Sequence, residues 1–175
     1  MILGMSLSTF TLVHVFLSLV GVGSGFLVVY GMLLGKRFDG ATAIFLVSTI
    51  LTSLTGFLFP FEHLLPSHVV GAVSLVALAI AVVARYSLHL VRAWRSTYVI
   101  CAVLALYLNV FVLVVQIFLK VPAAHALAPT QKEPPFLIVQ LVVLVAFVVL
   151  GIVAVKKFRL EPIAGAPSWT NTKAS

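Results

Sequence analysis

The chain has 175 residues, of which 62% are hydrophobic and 9% are charged. Soluble globular domains are about half apolar and about a quarter charged. This composition, with a mean hydropathy of +1.24, therefore excludes an ordinary soluble domain and predicts an integral membrane protein. The formal net charge of +7 does not indicate nucleic-acid binding, because the basic residues form short clusters between apolar runs. That pattern orients helices in a lipid bilayer.

Five apolar runs are long enough to be transmembrane helices. A helix needs about 20 residues to cross about 30 Å of hydrocarbon, and charged or glycine- and proline-rich segments separate the runs. The sequence therefore predicts an all-α five-helix bundle within residues 1–159 and a flexible cytoplasmic tail at 160–175. The five predicted spans cover about 7–34, 41–60, 68–92, 96–119 and 136–157.

The distribution of basic residues predicts the orientation of the bundle. In a five-span arrangement nine of the eleven Lys and Arg residues fall on one side, and only Lys120 and Lys132 fall on the other. Because basic loops favour the cytoplasmic side, we expect a multi-pass inner-membrane protein with its amino terminus outside and its carboxyl terminus in the cytoplasm. The nine residues are Lys36, Arg37, Arg85, Arg92, Arg95, Lys156, Lys157, Arg159 and Lys173.

Small and polar residues mark the predicted interior faces of four spans. Helices in lipid associate through small residues and hydrogen bonds, because the surrounding hydrocarbon is as apolar as leucine. In span one, His14, Ser18, Gly21 and Gly25 share one face at helical spacing. The corresponding sets in the next three spans are Thr42, Thr49, Thr52, Ser53 and Gly56; Gly71, Ser74, Ala77, Ala81 and Ala84; and Tyr98, Ala102, Ala105, Asn109, Val112 and Gln116.

Titratable and amide side chains concentrate at the predicted outer end of the bundle. The segment FPFEHLLPSH at 59–68 joins spans two and three, and the histidine of span one lies about 10 Å below the outer boundary. An ionisable group inside a membrane needs a partner and is by default a functional hypothesis. We therefore predict an outer polar pocket formed by His14, Glu62, His63 and His68, with Asn109, Gln116 and Gln140 as further polar members.

Three interpretations of this pocket stay open. In the first, His14 and His68 are axial ligands of a b-type haem, or they share a divalent metal with Glu62 and His63. In the second the groups are structural, and His14 donates to a carbonyl or to a threonine of span two. In the third the pocket is a proton or ion relay. No HExxH, CxxC or CxxCH motif is present to favour the first interpretation.

The leading functional prediction is a non-catalytic membrane component or accessory subunit that self-associates or joins a membrane complex. One alternative is a haem- or metal-binding redox protein, in which Asn109, Gln116 and Gln140 lie near the cofactor or contact a quinone. Another is a small transporter or ion relay. An enzyme is disfavoured, because the sequence has no Gly-rich phosphate loop, no GxSxG motif and only four carboxylate side chains.

A second candidate site lies at the predicted cytoplasmic end of span three. Arg85, His89 and Arg92 are spaced to share one helical face there. Long basic side chains at such a position extend toward the membrane surface. We therefore predict that these three residues contact lipid headgroups.

Four segments carry a resemblance to known proteins. They are GMLLGKRFDG at 31–40, TGFLFPF at 55–61, PSHVVG at 66–71 and LYLNVF at 106–111. With them the chain resembles a group of small polytopic inner-membrane proteins of proteobacteria. The resemblance covers most of the chain and implies a bacterial inner-membrane location, but no activity, cofactor or site. The histidine in span one is also similar to those of small haem-binding helical membrane proteins, a likeness of fold alone.

The predicted orientation is testable by cysteine labelling, because Cys101 is the single cysteine. In a Cys101→Ala background, a membrane-impermeant maleimide added to intact cells should label Thr130→Cys. It should label Lys36→Cys only after the cells are permeabilised. The reverse pattern would contradict an amino terminus outside.

Overall fold

The computed structural model describes residues 4–59 and 66–158, with the backbone alone at 66 and 67. Within these ranges the chain is helical, and five helices are long and apolar enough to cross a membrane. The predicted helical membrane bundle is confirmed at this level. The predicted tail at 160–175, Glu62 and His63 lie outside the described residues. The helices are α1 Leu7–Leu33, α2 Asp39–Gly56, α3 Pro66–Val82, α4 Ala93–Lys120, α5 Pro122–Leu127 and α6 Pro134–Lys157, with a π-helical segment Val83–Ser87 after α3.

The long helices alternate in direction, and α4 is the central one. Side-chain pairs show the antiparallel arrangement: His14 bonds Thr55 between α1 and α2, and Ser53 bonds Ser74 between α2 and α3. Helix α4 contacts α1, α3, α5 and α6. We call the end of the bundle that carries α5 the α5 end and the opposite end the Asp39 end. The short helix α5 lies in the connection between the predicted fourth and fifth spans and begins at Pro122, a residue suited to a first helical turn.

Two glycines of α1 allow it to approach α2 and α4 closely. A Cβ placed at Gly21 would lie 2.9 Å from Oγ1 of Thr49, and one at Gly25 would lie 2.6 Å from Cδ1 of Leu106 and 2.9 Å from the Phe45 ring. These distances are too short for a real side chain. The predicted interior face of span one, which includes Gly21 and Gly25, is therefore a packing face.

The predicted interior faces of the other spans are largely confirmed by burial. Most of their members are less than 9% exposed, whereas Gly56, Gly71 and Val112 are half-buried and Gln116 is exposed. Helix α4 shows the pattern most clearly, because its small residues let α1 and α3 pack against it. The buried members are Thr42, Thr49, Thr52, Ser53, Ser74, Ala77, Ala81, Ala84, Tyr98, Ala102, Ala105 and Asn109.

The third predicted span ends earlier than expected. Regular helix stops at Val82, the π-helical segment follows, and His89, Leu90 and Arg92 have positive φ angles of 48°, 59° and 51°. Such left-handed conformations are unfavourable for residues with a side chain. The chain therefore turns sharply before α4, and the prediction of one continuous helix over 68–92 is wrong at its carboxyl end.

This turn also changes the predicted headgroup site. The Arg85 side chain is only 8% exposed, pairs with Asp39 at the start of α2, and lies 5.3 Å from the ring centroid of Tyr98. His89 and Arg92 are exposed. The expectation that the three residues share one helical face is therefore wrong, since no regular helix continues through them. The headgroup prediction remains for His89 and Arg92.

The close approach at Gly25 predicts a measurable difference between two Gly→Ala variants of α1. Gly25→Ala should lower the free energy of unfolding by about 1–3 kcal/mol, the usual cost of overpacking. Gly23→Ala should leave it unchanged or raise it by up to about 1 kcal/mol, because alanine favours a helix and nothing lies within 4 Å of a Cβ there. Unfolding of both proteins in the same detergent measures the difference. Equal stability would contradict the contact.

A polar cavity at the α5 end

Two adjoining cavities lie among the helices toward the α5 end. The small cavity has a volume of about 100 Å³ and is lined by residues of α1, α2, α3 and α4. The large cavity has a volume of about 440 Å³ and extends along α1 and α4 to Lys120. The two cavities share five lining residues, so they adjoin and together are one candidate site. These shared residues are His14, Ser18, Gly56, His68 and Val112.

His14 is held by a defined hydrogen bond. Its Nδ1 lies 2.8 Å from Oγ1 of Thr55, and the Thr55 hydroxyl lies 2.7 Å from the carbonyl oxygen of Leu51, to which it donates. Because a hydroxyl has one proton and that of Thr55 is used on Leu51, we assign Thr55 as the acceptor and Nδ1 of His14 as the donor. In this tautomer Nε2 has a lone pair for a ligand. A hydrogen bond between His14 and a threonine of span two, one of the two contacts expected in the structural interpretation, is present.

His68, which belongs to α3, also lines both cavities. It lies in the first turn of α3 and is buried, with only 7% of its surface exposed. Its ring centroid is 5.5 Å from that of Phe57. Phe59, whose ring packs edge-on against His14 at a centroid distance of 5.1 Å, contributes to the wall of the large cavity. Two histidines from distant parts of the sequence therefore meet at one site bordered by aromatic rings.

The small cavity has further polar walls. Nδ2 of Asn109 donates to Oγ1 of Thr49 at 3.2 Å, and Oγ of Ser53 donates to Oγ of Ser74 at 3.3 Å. Thr52 also lines this cavity, and its buried hydroxyl has no hydrogen-bond partner in the structure. A buried hydroxyl without a partner costs free energy. Because the hydroxyl oxygen has almost no accessible surface, this cost arises from the packing around Thr52.

The structure brings together only part of the predicted pocket. Asn109 lines the small cavity and Gln116 the large one. Gln140 lines neither: its Nε2 donates to the carbonyl oxygen of Phe111 at 3.2 Å, which ties α6 to α4. Glu62 and His63 are outside the described residues.

The metal prediction has limited support from this arrangement. Among residues 4–59 and 66–158, no three His, Cys, Asp or Glu side chains are grouped so as to hold a metal ion. His14 and His68 are the two members of the predicted ligand set whose positions the structure gives. Two histidines suit the axial positions of a haem, whereas a structural zinc site needs four ligands.

Some residues of the site were missed by sequence reasoning. Thr55, Phe59 and Val112 were not assigned to the pocket, although Thr55 fixes the His14 ring and the other two line the large cavity. Spacing alone could have found Thr55, because hydroxyl residues recur along span two up to this position. The roles of Phe59 and Val112 depend on how the helices cross, which spacing does not give.

Comparisons with known proteins show no match. No family model, curated protein or solved structure is significantly similar to this chain. The similarity to proteobacterial inner-membrane proteins therefore stays an expectation from sequence. The function has to be inferred from the cavities and from the chemistry of their walls.

The His14–Thr55 bond predicts a specific tautomer. In ¹⁵N-histidine spectra recorded near pH 9, where a typical imidazole is neutral, His14 should show a protonated Nδ1 and an unprotonated Nε2. Thr55→Val should change this signature and lower the free energy of unfolding by about 1 kcal/mol. Thr97→Val is the matched control, because Thr97 bonds only within its own helix. A protonated Nε2 in the unmodified protein would contradict the assignment.

Proposed function

We propose that this chain is a non-catalytic multi-pass protein of a bacterial inner membrane, a component or accessory subunit whose His14–His68 cavity holds a small lipid-soluble molecule. Its amino terminus is outside and its carboxyl terminus is cytoplasmic, so the cavity lies toward the outer surface. This orientation follows from the basic residues of the loops.

One observation carries the proposal: His14 and His68, from α1 and α3, line the same two cavities. The large cavity has a volume within the usual range of about 300–1,000 Å³ for small-molecule sites. Such sites have mostly apolar walls with a few fixed polar groups. The His14 ring, oriented by Thr55, is such a group.

The carboxylates with known positions support a binding role over a hydrolytic one. Asp39 pairs with Arg85 at the opposite end of the bundle. Glu133 accepts hydrogen bonds from Thr130 and from the backbone of Lys132 in the connection before α6. Within the described ranges, both carboxylates are therefore engaged in local contacts away from the histidines.

Filling the cavity should release the bound molecule. Gly56 lines both cavities, and a Cβ there would meet only Cε1 of His14, at an ordinary distance of 3.8 Å. Gly56→Leu should therefore fold and extend its side chain into the space. Protein purified in mild detergent is extracted with organic solvent, and the extracted molecules are quantified by mass spectrometry. The unmodified protein should carry at least one lipid-soluble molecule near stoichiometric amount, and Gly56→Leu at least tenfold less.

The matched control is Gly23→Leu, which places the same side chain on α1 where nothing lies within 4 Å of the added Cβ. This variant should retain the molecule in full. Equal contents in all three proteins, or no bound molecule in the unmodified one, would contradict the proposal.

A b-type haem is a second candidate for the bound molecule. It is favoured by the free lone pair of Nε2 on His14, because a ligating histidine typically has its other nitrogen fixed by a hydrogen bond. His14 and His68 would then be the residues that hold the haem. Visible spectra of the same samples, before and after reduction with dithionite, distinguish the candidates. A Soret band that sharpens on reduction and disappears in His14→Ala supports haem, whereas a featureless spectrum excludes it.

A further inference from the structure

The large cavity is accessible from the side of the bundle. Val15, Leu19 and Ile117 line it and are 42%, 50% and 40% exposed. They belong to the surfaces of α1 and α4, which in a membrane contact hydrocarbon. A lipid-soluble molecule can therefore enter between these two helices without crossing the bundle, and an apolar tail can remain in the lipid.

The polar wall of the site favours a ligand that donates a hydrogen bond to His14. Because Nδ1 of His14 donates to Thr55, Nε2 is the ring nitrogen that remains, and it is an acceptor. A ligand hydroxyl satisfies this acceptor, whereas a ligand carbonyl places a second acceptor against it. The fixed tautomer thus distinguishes a hydroxyl compound from the corresponding carbonyl compound.

Other groups at the site suit a ring with a second polar atom. Gln116 lines the large cavity and is exposed, and its amide can donate or accept. Asn109, which lines the small cavity, adds a second amide. Phe59, packed against both His14 and Phe10, presents an aromatic surface for a planar ring.

From these features we infer that the cavity binds a lipid-soluble quinol, with one ring hydroxyl donating to Nε2 of His14 and the tail leaving between α1 and α4. The inference rests on the proposed function and deepens it by naming the ligand class. It concerns binding alone. The oxidised quinone, which offers only acceptors at both ring oxygens, binds more weakly. An unpaired acceptor facing an acceptor lowers affinity by about tenfold or more.

Binding of a matched quinol and quinone pair tests the inference. Full-length protein in lipid nanodiscs is titrated without oxygen, by calorimetry, with a benzoquinol carrying one isoprenoid unit and with its quinone. Empty nanodiscs provide the background from partition into lipid. The quinol should bind at least tenfold more tightly than the quinone. His14→Ala should weaken quinol binding at least tenfold, because it removes the acceptor.

Thr55→Val provides a test that does not remove the histidine. Without Thr55, Nδ1 loses its acceptor and the ring is free to place its hydrogen on Nε2 instead. The preference for quinol over quinone should then fall at least threefold, an effect that simple loss of stability would not produce. Matched controls are His125→Ala and Thr97→Val, because neither residue lines either of the two cavities of the site and the hydrogen bond of each is to a backbone carbonyl. Both should keep the affinities of the unmodified protein.

The outcomes separate this inference from the proposed function. Equal or tighter binding of quinone, or unchanged quinol affinity in His14→Ala, overturns the quinol assignment. If a different molecule is extracted from the unmodified protein and is lost in Gly56→Leu, the quinol assignment falls and the proposed function stands. If the cavity variants change neither the quinol affinity nor the amount of any extracted molecule, the quinol assignment and the proposed function are both contradicted.

Discussion

The close approach of α1 to α2 and α4 is the constraint on which the rest of the bundle depends. In lipid, helices gain nothing from excluding hydrocarbon, so their association relies on backbone proximity and hydrogen bonds. Gly21 lies beside the Thr49–Asn109 bond, and Gly25 lies against Phe45 and Leu106. These contacts join three helices at one level. His14 lies two helical turns, about 10 Å, from Gly21 toward the α5 end. At this level α1 has a histidine instead of a glycine, and the helices leave space for the cavities.

The two ends of the bundle are closed by different means. At the Asp39 end the π-helical segment, with its wider turn, directs Arg85 inward to Asp39 and Tyr98. Arg95 donates to the carbonyl oxygen of Phe158 at the same end, which ties α4 to the end of α6. Guanidinium groups there satisfy both side-chain and backbone acceptors. At the α5 end the side chains of His14, Ser18 and His68 instead border an open space among the helices.

The sequence predicted the number of spans and most interior faces, because hydrophobic length and small-residue spacing depend on local properties of the chain. It did not predict the end of α3: Arg85, His89 and Arg92 have helical spacing, but the backbone leaves the helix at Val82. The pairing of Arg85 with Asp39 accompanies that geometry, and spacing could not show it because the partners are 46 residues apart. Similarly, spacing placed His14 on the interior face and suggested a threonine partner. It could not show that His68 borders the same cavity while Gln140 bonds Phe111 instead.

A purely structural role for His14 explains the bond to Thr55 but not the space beside the ring. A cavity of about 100 Å³, if empty, costs on the order of 2 kcal/mol in lost contacts, a large term for a marginally stable protein. The glycine at 56 is not required there by contact, since a Cβ would meet only Cε1 of His14 at 3.8 Å. Its effect is to leave space open. A polar, lipid-soluble molecule bound there fills this space and gives Nε2 of His14 a hydrogen-bond partner, neither of which the His14–Thr55 bond does.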